Sequence, residues 1–93
     1  MSRPKKYRCI CCELQTDYFK PRGVPLSGLL EIQLDMDELE ALRLADYEGL
    51  YQEDAAKKMN ISRATFGRII SEAHRKVADA ILNGKALRID HDA

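Results

Sequence analysis

Tryptophan is absent from this 93-residue chain, aromatic residues make up 6% of it, and the formal net charge is zero. Set against 45% hydrophobic and 32% charged residues, the shortage of rings fits a soluble, mostly helical protein and excludes a disordered tail. No run approaches the roughly 18 apolar residues of a spanning helix. The start, MSRPKKYRCICC, is basic but lacks the apolar stretch of a signal peptide. The expected address is therefore the cytoplasm, with no membrane partner. Cysteine is confined to Cys9, Cys11 and Cys12, an odd count spaced too tightly for a disulfide scaffold, which fits reduced thiols. Internal repeats and low-complexity tracts are lacking, and the length suits one domain, completed where needed by a partner chain.

The ingredients of catalysis are also missing. No histidine is matched with a nucleophile, no glycine-rich loop could cradle a phosphate, and no carboxylates take metal-ligand spacing. The expectation is a protein that is not an enzyme and holds no cofactor.

The zero net charge is a cancellation between blocks. Residues 1–30 carry six basic and two acidic side chains, residues 31–54 one and nine, and residues 55–93 eight and four. Between positions 55 and 76, Lys57, Lys58, Arg63, Arg68, Arg75 and Lys76 face only Glu72. A polyanion would meet that local surplus and not the average.

Residues 1–34 hold all three prolines and read as a basic arm with turns and short strands, YRCI (7–10) being one strand candidate. In LLEIQL, Leu30, Ile32 and Leu34 alternate with Glu31 and Gln33, the period of a half-buried strand. Residues 35–84 read as the helical core. Asp35 with Glu38 three positions on predicts a capped helix over 36–48, stopped by Gly49. A short helix follows over 51–58, ending at Asn60, a residue that tolerates positive φ. Ser62 is placed to cap a third helix from Arg63 to Asn83, with Phe66, Ile69, Ile70, Ala73, Val77, Ala80 and Ile81 on one apolar face. Residues 85–93 read as a closing strand, KALRI, and a tail.

Two helices joined through a turn of three or four residues make a helix-turn-helix, which requires small residues where the helices touch and an apolar clamp on each. Ala55 and Ala56 supply the first, and Met59, Ile61, Phe66 and Ile69 the second. With Phe66, Ile69 and Ile70 turned inward, the 3.6-residue period leaves Arg63, Ala64, Thr65, Gly67 and Arg68 outward near the helix start, the end that enters the major groove in this motif. Arginines there offer bidentate donors to guanine, Thr65 a bond to base or phosphate, Ala64 a contact for a thymine methyl. Gly67 permits close approach of a backbone, or equally a tight helix contact. Ser62 with the exposed amides could hold a phosphate, and Lys57, Lys58, Arg75 and Lys76 could contact others.

The segment LYQEDAAKKMNISRATFGRIISEAHRKVADAI resembles the helix-turn-helix of region 4 in bacterial sigma factors. Together with RPKK, YFKPRGVPL, LDMDELEALRLADYEGL and NGKALRI, it resembles over nearly its whole length a family of small bacterial and archaeal proteins described as predicted DNA-binding proteins. The resemblance implies a helix-turn-helix protein that binds double-stranded DNA and regulates transcription; with the short strands read near both ends, the expected fold is mostly α, a helix-turn-helix of the sigma region 4-like or winged-helix-like kind. It implies no ligand and no enzymatic activity.

Other constellations carry rival readings. Cys9, Cys11 and Cys12 could make a metal- or redox-responsive site, although tetrahedral zinc needs four ligands. SRPKKYR could follow a minor groove or serve as a solubilising arm. The acidic block from Glu31 to Asp54 reads as a solvated helix face, or as an adaptor surface for a basic partner such as RNA polymerase. A homodimer is expected from the two-fold habit of such DNA-binding motifs and from strand-like ends that could pair between chains.

Overall fold

The computed structural model describes Leu14 and residues 16–90. The cysteines Cys9, Cys11 and Cys12, the YRCI strand candidate, the SRPKKYR arm and His91 lie outside the described residues. Three helices and a three-stranded sheet make up the rest. They are β1 (Tyr18–Phe19), β2 (Glu31–Asp35), α1 (Met36–Leu42), α2 (Gln52–Met59), α3 (Arg63–Asn83) and β3 (Ala86–Asp90). The architecture is helix-rich, as expected, but mixed: the strands expected separately near the two ends belong to one sheet of order β1-β3-β2.

The central strand is β3. Tyr18 and Phe19 pair antiparallel with Arg88 and Leu87, while Glu31 to Asp35 pair parallel with Ala86 to Asp90. Parallel neighbours need a long crossover, and here it contains all three helices. On the face toward α3, Leu34 and Ile89 pack on Ala73. The opposite face is a polar lattice: Tyr18 donates to Glu31 at 2.6 Å, Arg88 to Gln33 at 2.9 Å, and Gln33 to Asp90 at 2.9 Å.

At the start of α1, the Glu38 carboxylate accepts the Asp35 N–H at 2.9 Å, the backward half of a capping box. The helix predicted as one α-helical run over 36–48 changes pitch. After Leu42 it continues as a π-helical segment, Arg43–Tyr47, in which the Glu48 N–H reaches the Arg43 carbonyl at 2.8 Å. The wider turn lets Arg43 bridge Glu40 and Glu48, each at 3.1 Å. Gly49, at φ +77°, then ends the helix in the left-handed conformation that favours glycine.

The main core joins α1, α2 and α3 through Ala41, Leu44, Ala55, Ala56, Met59, Phe66 and Ile70. Phe66 is fully enclosed. Along α3 the buried stripe runs through Phe66, Ile70, Ala73 and Ala80, as the spacing predicts, but Ile81 is exposed. Ala80 is the inward residue of the last turn, and Ile81, about 100° further round, lies beyond what the sheet covers. Leu30, expected inward on β2, is likewise exposed. It precedes the paired stretch, where the strand passes beyond the end of α3.

The acidic block is not simply a solvated face. Glu38 and Glu40 are buried: the first pairs with Lys76 at 2.7 Å and the second takes a two-pronged bond from Arg43. Asp46 faces His74 at 2.8 Å. Glu53 and Asp54 remain exposed in the first turn of α2, where carboxylates favour the helix dipole.

Candidate nucleic-acid interface

The candidate surface is built at the junction of α2 and α3. The first helix stops because Asn60 takes a left-handed backbone, φ 62° and ψ 44°, and the next amide closes the end with a bond from Ile61 N–H to the Ala56 carbonyl at 3.0 Å. Asparagine suffers less in that conformation than other residues with a Cβ. Ser62 is extended, and its hydroxyl accepts the Thr65 N–H at 3.1 Å, capping α3. Buried Met59 and Phe66, with half-buried Ile61, join the same apolar cluster, so the turn is clamped on both sides.

Phe66 and Ile70 turned inward leave Arg63, Ala64 and Arg68 exposed, with Thr65 and Gly67 half-buried beside them. A short hydrogen-bond chain organises this end. The Ser62 hydroxyl lies 2.9 Å from the Thr65 hydroxyl, which also accepts from the Arg68 guanidinium at 3.3 Å. Arg68 is thereby oriented while its remaining donors face outward.

The six cations singled out by sequence divide into two groups. Lys57, Lys58 and Arg63 are exposed and make no ion pair among the described residues, and Arg68 bonds only the neutral Thr65 hydroxyl. Arg75 instead pairs with Glu72 at 2.6 Å. Its hydrogen bond holds the Glu72 carboxyl below the ordinary range and raises the guanidinium in turn. Lys76 points the other way, into the seam between α1 and β2, where it meets Glu38 and the Gln33 carbonyl, each at 2.7 Å. Its charge is turned away from the α3 start, so Lys76 leaves the surface that sequence spacing drew. Of the six, those without a carboxylate partner among the described residues are Lys57, Lys58, Arg63 and Arg68.

Gln52, the first residue of α2, was not singled out by sequence. Its Oε1 would lie 3.5 Å from a Cβ placed on Gly67, the nearest heavy atom to that position. The distance is an ordinary contact, so helix packing does not require glycine at 67. The signal that could have pointed to Gln52 is geometric, the start of one helix meeting the face of the next. Among the described residues, no three His, Cys, Asp or Glu side chains converge as a metal site would require, and no described helix is long and apolar enough to cross a membrane.

The model of the family described as "Protein of unknown function DUF134" matches residues 1–92. The chain belongs to that family. A UPF0251 protein of Desulfosudis oleivorans is 57% identical over 90 residues, covering 97% of this chain and 65% of its own length. One from Caldanaerobacter subterraneus subsp. tengcongensis is 53% identical over 90 residues, covering 97% of this chain and 76% of its own. In Prosthecochloris aestuarii a relative 54% identical over 88 residues shares 95% of this chain but only 57% of itself, so several members of the DUF134 family carry sequence beyond what this chain spans. No solved structure matches the chain.

Proposed function

We propose that α2, its turn and α3 form a helix-turn-helix that binds double-stranded DNA with sequence preference, and that the protein acts as a transcriptional regulator. The observation that carries this reading is a set of four exposed cations without carboxylate partners among the described residues, Lys57 and Lys58 in the last turn of α2 and Arg63 and Arg68 in the first turns of the capped α3. Arg63 and Arg68 read base edges, Ala64 and Thr65 add shorter contacts, and Gly67 lets the groove wall approach. Ser62, Lys57 and Lys58 position the helix on phosphates. Arg75 serves as an outer phosphate contact only if it exchanges Glu72 for the backbone. The likeness of residues 50–81 to sigma region 4 supports the same orientation, with the start of α3 in the major groove.

The adaptor reading has less support, because Glu38, Glu40, Asp46 and Glu48 are engaged within the molecule. The two readings separate by titration of labelled genomic fragments, including the region upstream of the protein's own gene, across a salt series. Phosphate contacts by Lys57 and Lys58 give a log–log salt slope of about −2, with selection among fragments that Arg63→Ala and Arg68→Ala abolish. Absence of binding at low salt, or selection that survives both substitutions, overturns the reading.

A further inference from the structure

Ser62, Thr65, Arg68, Glu72 and Arg75 follow one another along α3 and its cap at spacings of three or four, so each neighbours the next on the helix surface. Their bonds are not shared evenly along that row. Arg75 takes Glu72 by both oxygens, from Nε to Oε1 at 3.1 Å and from Nη2 to Oε2 at 2.6 Å. Of the positions three or four residues from Arg68, which hold Ala64, Thr65, Ser71 and Glu72, only the last carries a carboxylate. Arg68 nevertheless makes no ion pair among the described residues, and its Nη2 donates to the Thr65 hydroxyl at 3.3 Å. That hydroxyl is itself held. Ser62 donates to it at 2.9 Å and is fixed in turn by accepting the Thr65 N–H at 3.1 Å.

We infer that Thr65 and Arg75 are positioning residues for Arg68, Thr65 turning its guanidinium and Arg75 withholding Glu72 from it, and that the ligand so prepared for is a guanine edge in duplex DNA. The inference rests on the DNA-binding reading and gives Arg75 a part in it other than a phosphate contact. An Arg68 paired with Glu72 would have its charge cancelled and a two-pronged edge filled. Thr65 is neutral and takes a single hydrogen. Because Nη2 carries two hydrogens, one on each forked edge of the guanidinium, the bond to Thr65 always leaves one edge complete. Two acceptors side by side, O6 and N7 of guanine, are what such an edge fits. A guanidinium already held in place also has less rotamer freedom to lose on binding. Arg75 completes the arrangement from the far side, since with both oxygens of Glu72 engaged the carboxylate has no free edge to offer Arg68.

The experiment has two arms on the full chain, with circular dichroism verifying that each variant is folded. The first contains no DNA. The Glu72 carboxyl, held below the ordinary range chiefly by its bond to Arg75, is titrated by NMR in wild type, Arg75→Met, and Arg75→Met with Arg68→Ala. Arg75→Met is expected to leave it low, because Arg68 turns to the vacated carboxylate, and removal of both arginines lets it rise. A rise in Arg75→Met as large as in the double substitution overturns the inference. The second arm reads the ratio of affinities for a genomic fragment that wild type selects and an unrelated duplex of the same length. Arg75→Met and Thr65→Val are each expected to lower that ratio roughly tenfold. Thr65→Ser, which keeps the hydroxyl, recovers it, as does Glu72→Gln added to Arg75→Met. A phosphate contact by Arg75 would instead be lost from both duplexes alike and would not return with Glu72→Gln. A ratio unmoved by either single substitution, one that Glu72→Gln fails to restore, or a further loss from Thr65→Val in an Arg68→Ala background overturns the inference alone. A wild type that selects no fragment overturns the DNA-binding reading and this inference together.

Discussion

The Lys76 ammonium lies 2.7 Å from the Glu38 carboxylate, with side-chain exposures of 16% and 10%, and together the two close the free side of β2. Because Ala86 donates to Leu30, parallel pairing turns Leu30, Ile32 and Leu34 toward β3 and leaves the Gln33 carbonyl and the Asp35 N–H pointing outward. Lys76 takes the first and Glu38 the second. The end of the edge nearest α1 is thereby engaged by side chains and not left to a foreign strand.

Removing one member of that pair leaves the other buried without its counter-charge. Lys76→Met or Glu38→Gln is expected to cost about 3 kcal/mol, measured by urea unfolding. The double substitution should cost clearly less than the sum of the single ones, and strict additivity would show that the two residues do not act as a pair.

Gly67→Ala tests whether glycine is there for the fold or for an external surface. Its Cβ meets nothing closer than Gln52 Oε1 at 3.5 Å, so the substitution should raise stability by about 0.5–1 kcal/mol through helix propensity. In the DNA-binding reading it should at the same time weaken binding to a selected fragment. A loss of stability would instead point to an internal contact.

Asn60→Ala should destabilise by about 1–2 kcal/mol, because its backbone is left-handed at φ 62°, while Asn60→Gly should be close to neutral. Ser62→Ala removes the cap and should cost about 1 kcal/mol. Thermal unfolding of the three variants ranks them directly, and equal effects of alanine and glycine at 60 would contradict the conformational argument.

Within the DNA-binding reading, Lys57→Ala and Lys58→Ala should lower affinity for all fragments alike and reduce the salt slope by about 1 each. Arg63→Ala and Arg68→Ala should each cost about 1–3 kcal/mol on preferred fragments and little on others. Parallel titrations of one preferred and one unrelated duplex distinguish the two classes.

Two carboxylates give opposite pH signatures. Hydrogen bonds from Asn83 and then Lys85 hold Asp79 below the ordinary range. Its contribution is therefore present above the unfolded pKa and is lost as pH falls through the folded one. Burial, and then the charges of Asp35 and Glu38, push Asp37 upward, so its ionisation weakens the fold at neutral pH and protonation relieves that strain in acid. Melting temperatures across a pH series should show Asp79→Asn less stable and Asp37→Asn more stable than wild type near neutrality. Both differences should close in acid.

Much of the helical architecture was legible because it is written locally. Asn60, Ser62 and the 3.6-residue spacing of Phe66, Ile70 and Ala73 specify the turn and the buried face of α3 without help from elsewhere in the chain. Tyr18–Phe19 was not legible as a strand, since two residues carry no period and the partner is nearly seventy positions away. Pitch change after Leu42 escaped notice for a related reason: it is expressed in a bond between Arg43 and Glu48, at a spacing no apolar pattern marks. The candidate surface was drawn too large by Lys76, whose partner Glu38 lies a whole helix pair earlier. Sequence spacing places a cation on a helix but does not say which carboxylate folds back to meet it.

Among the described elements the central strand of the sheet is also the last to be synthesised. β1 has only β3 to pair with, and β2 meets β3 across a separation of fifty-five positions. Neither can join a ladder while the chain is still growing through α3. The α2–α3 unit, held by contacts close in sequence, can form early, but the sheet must wait for Ala86 to Asp90 and close in a late step of high contact order. Until then, the hydrogen-bonding edges of β1 and β2 have no partner strand.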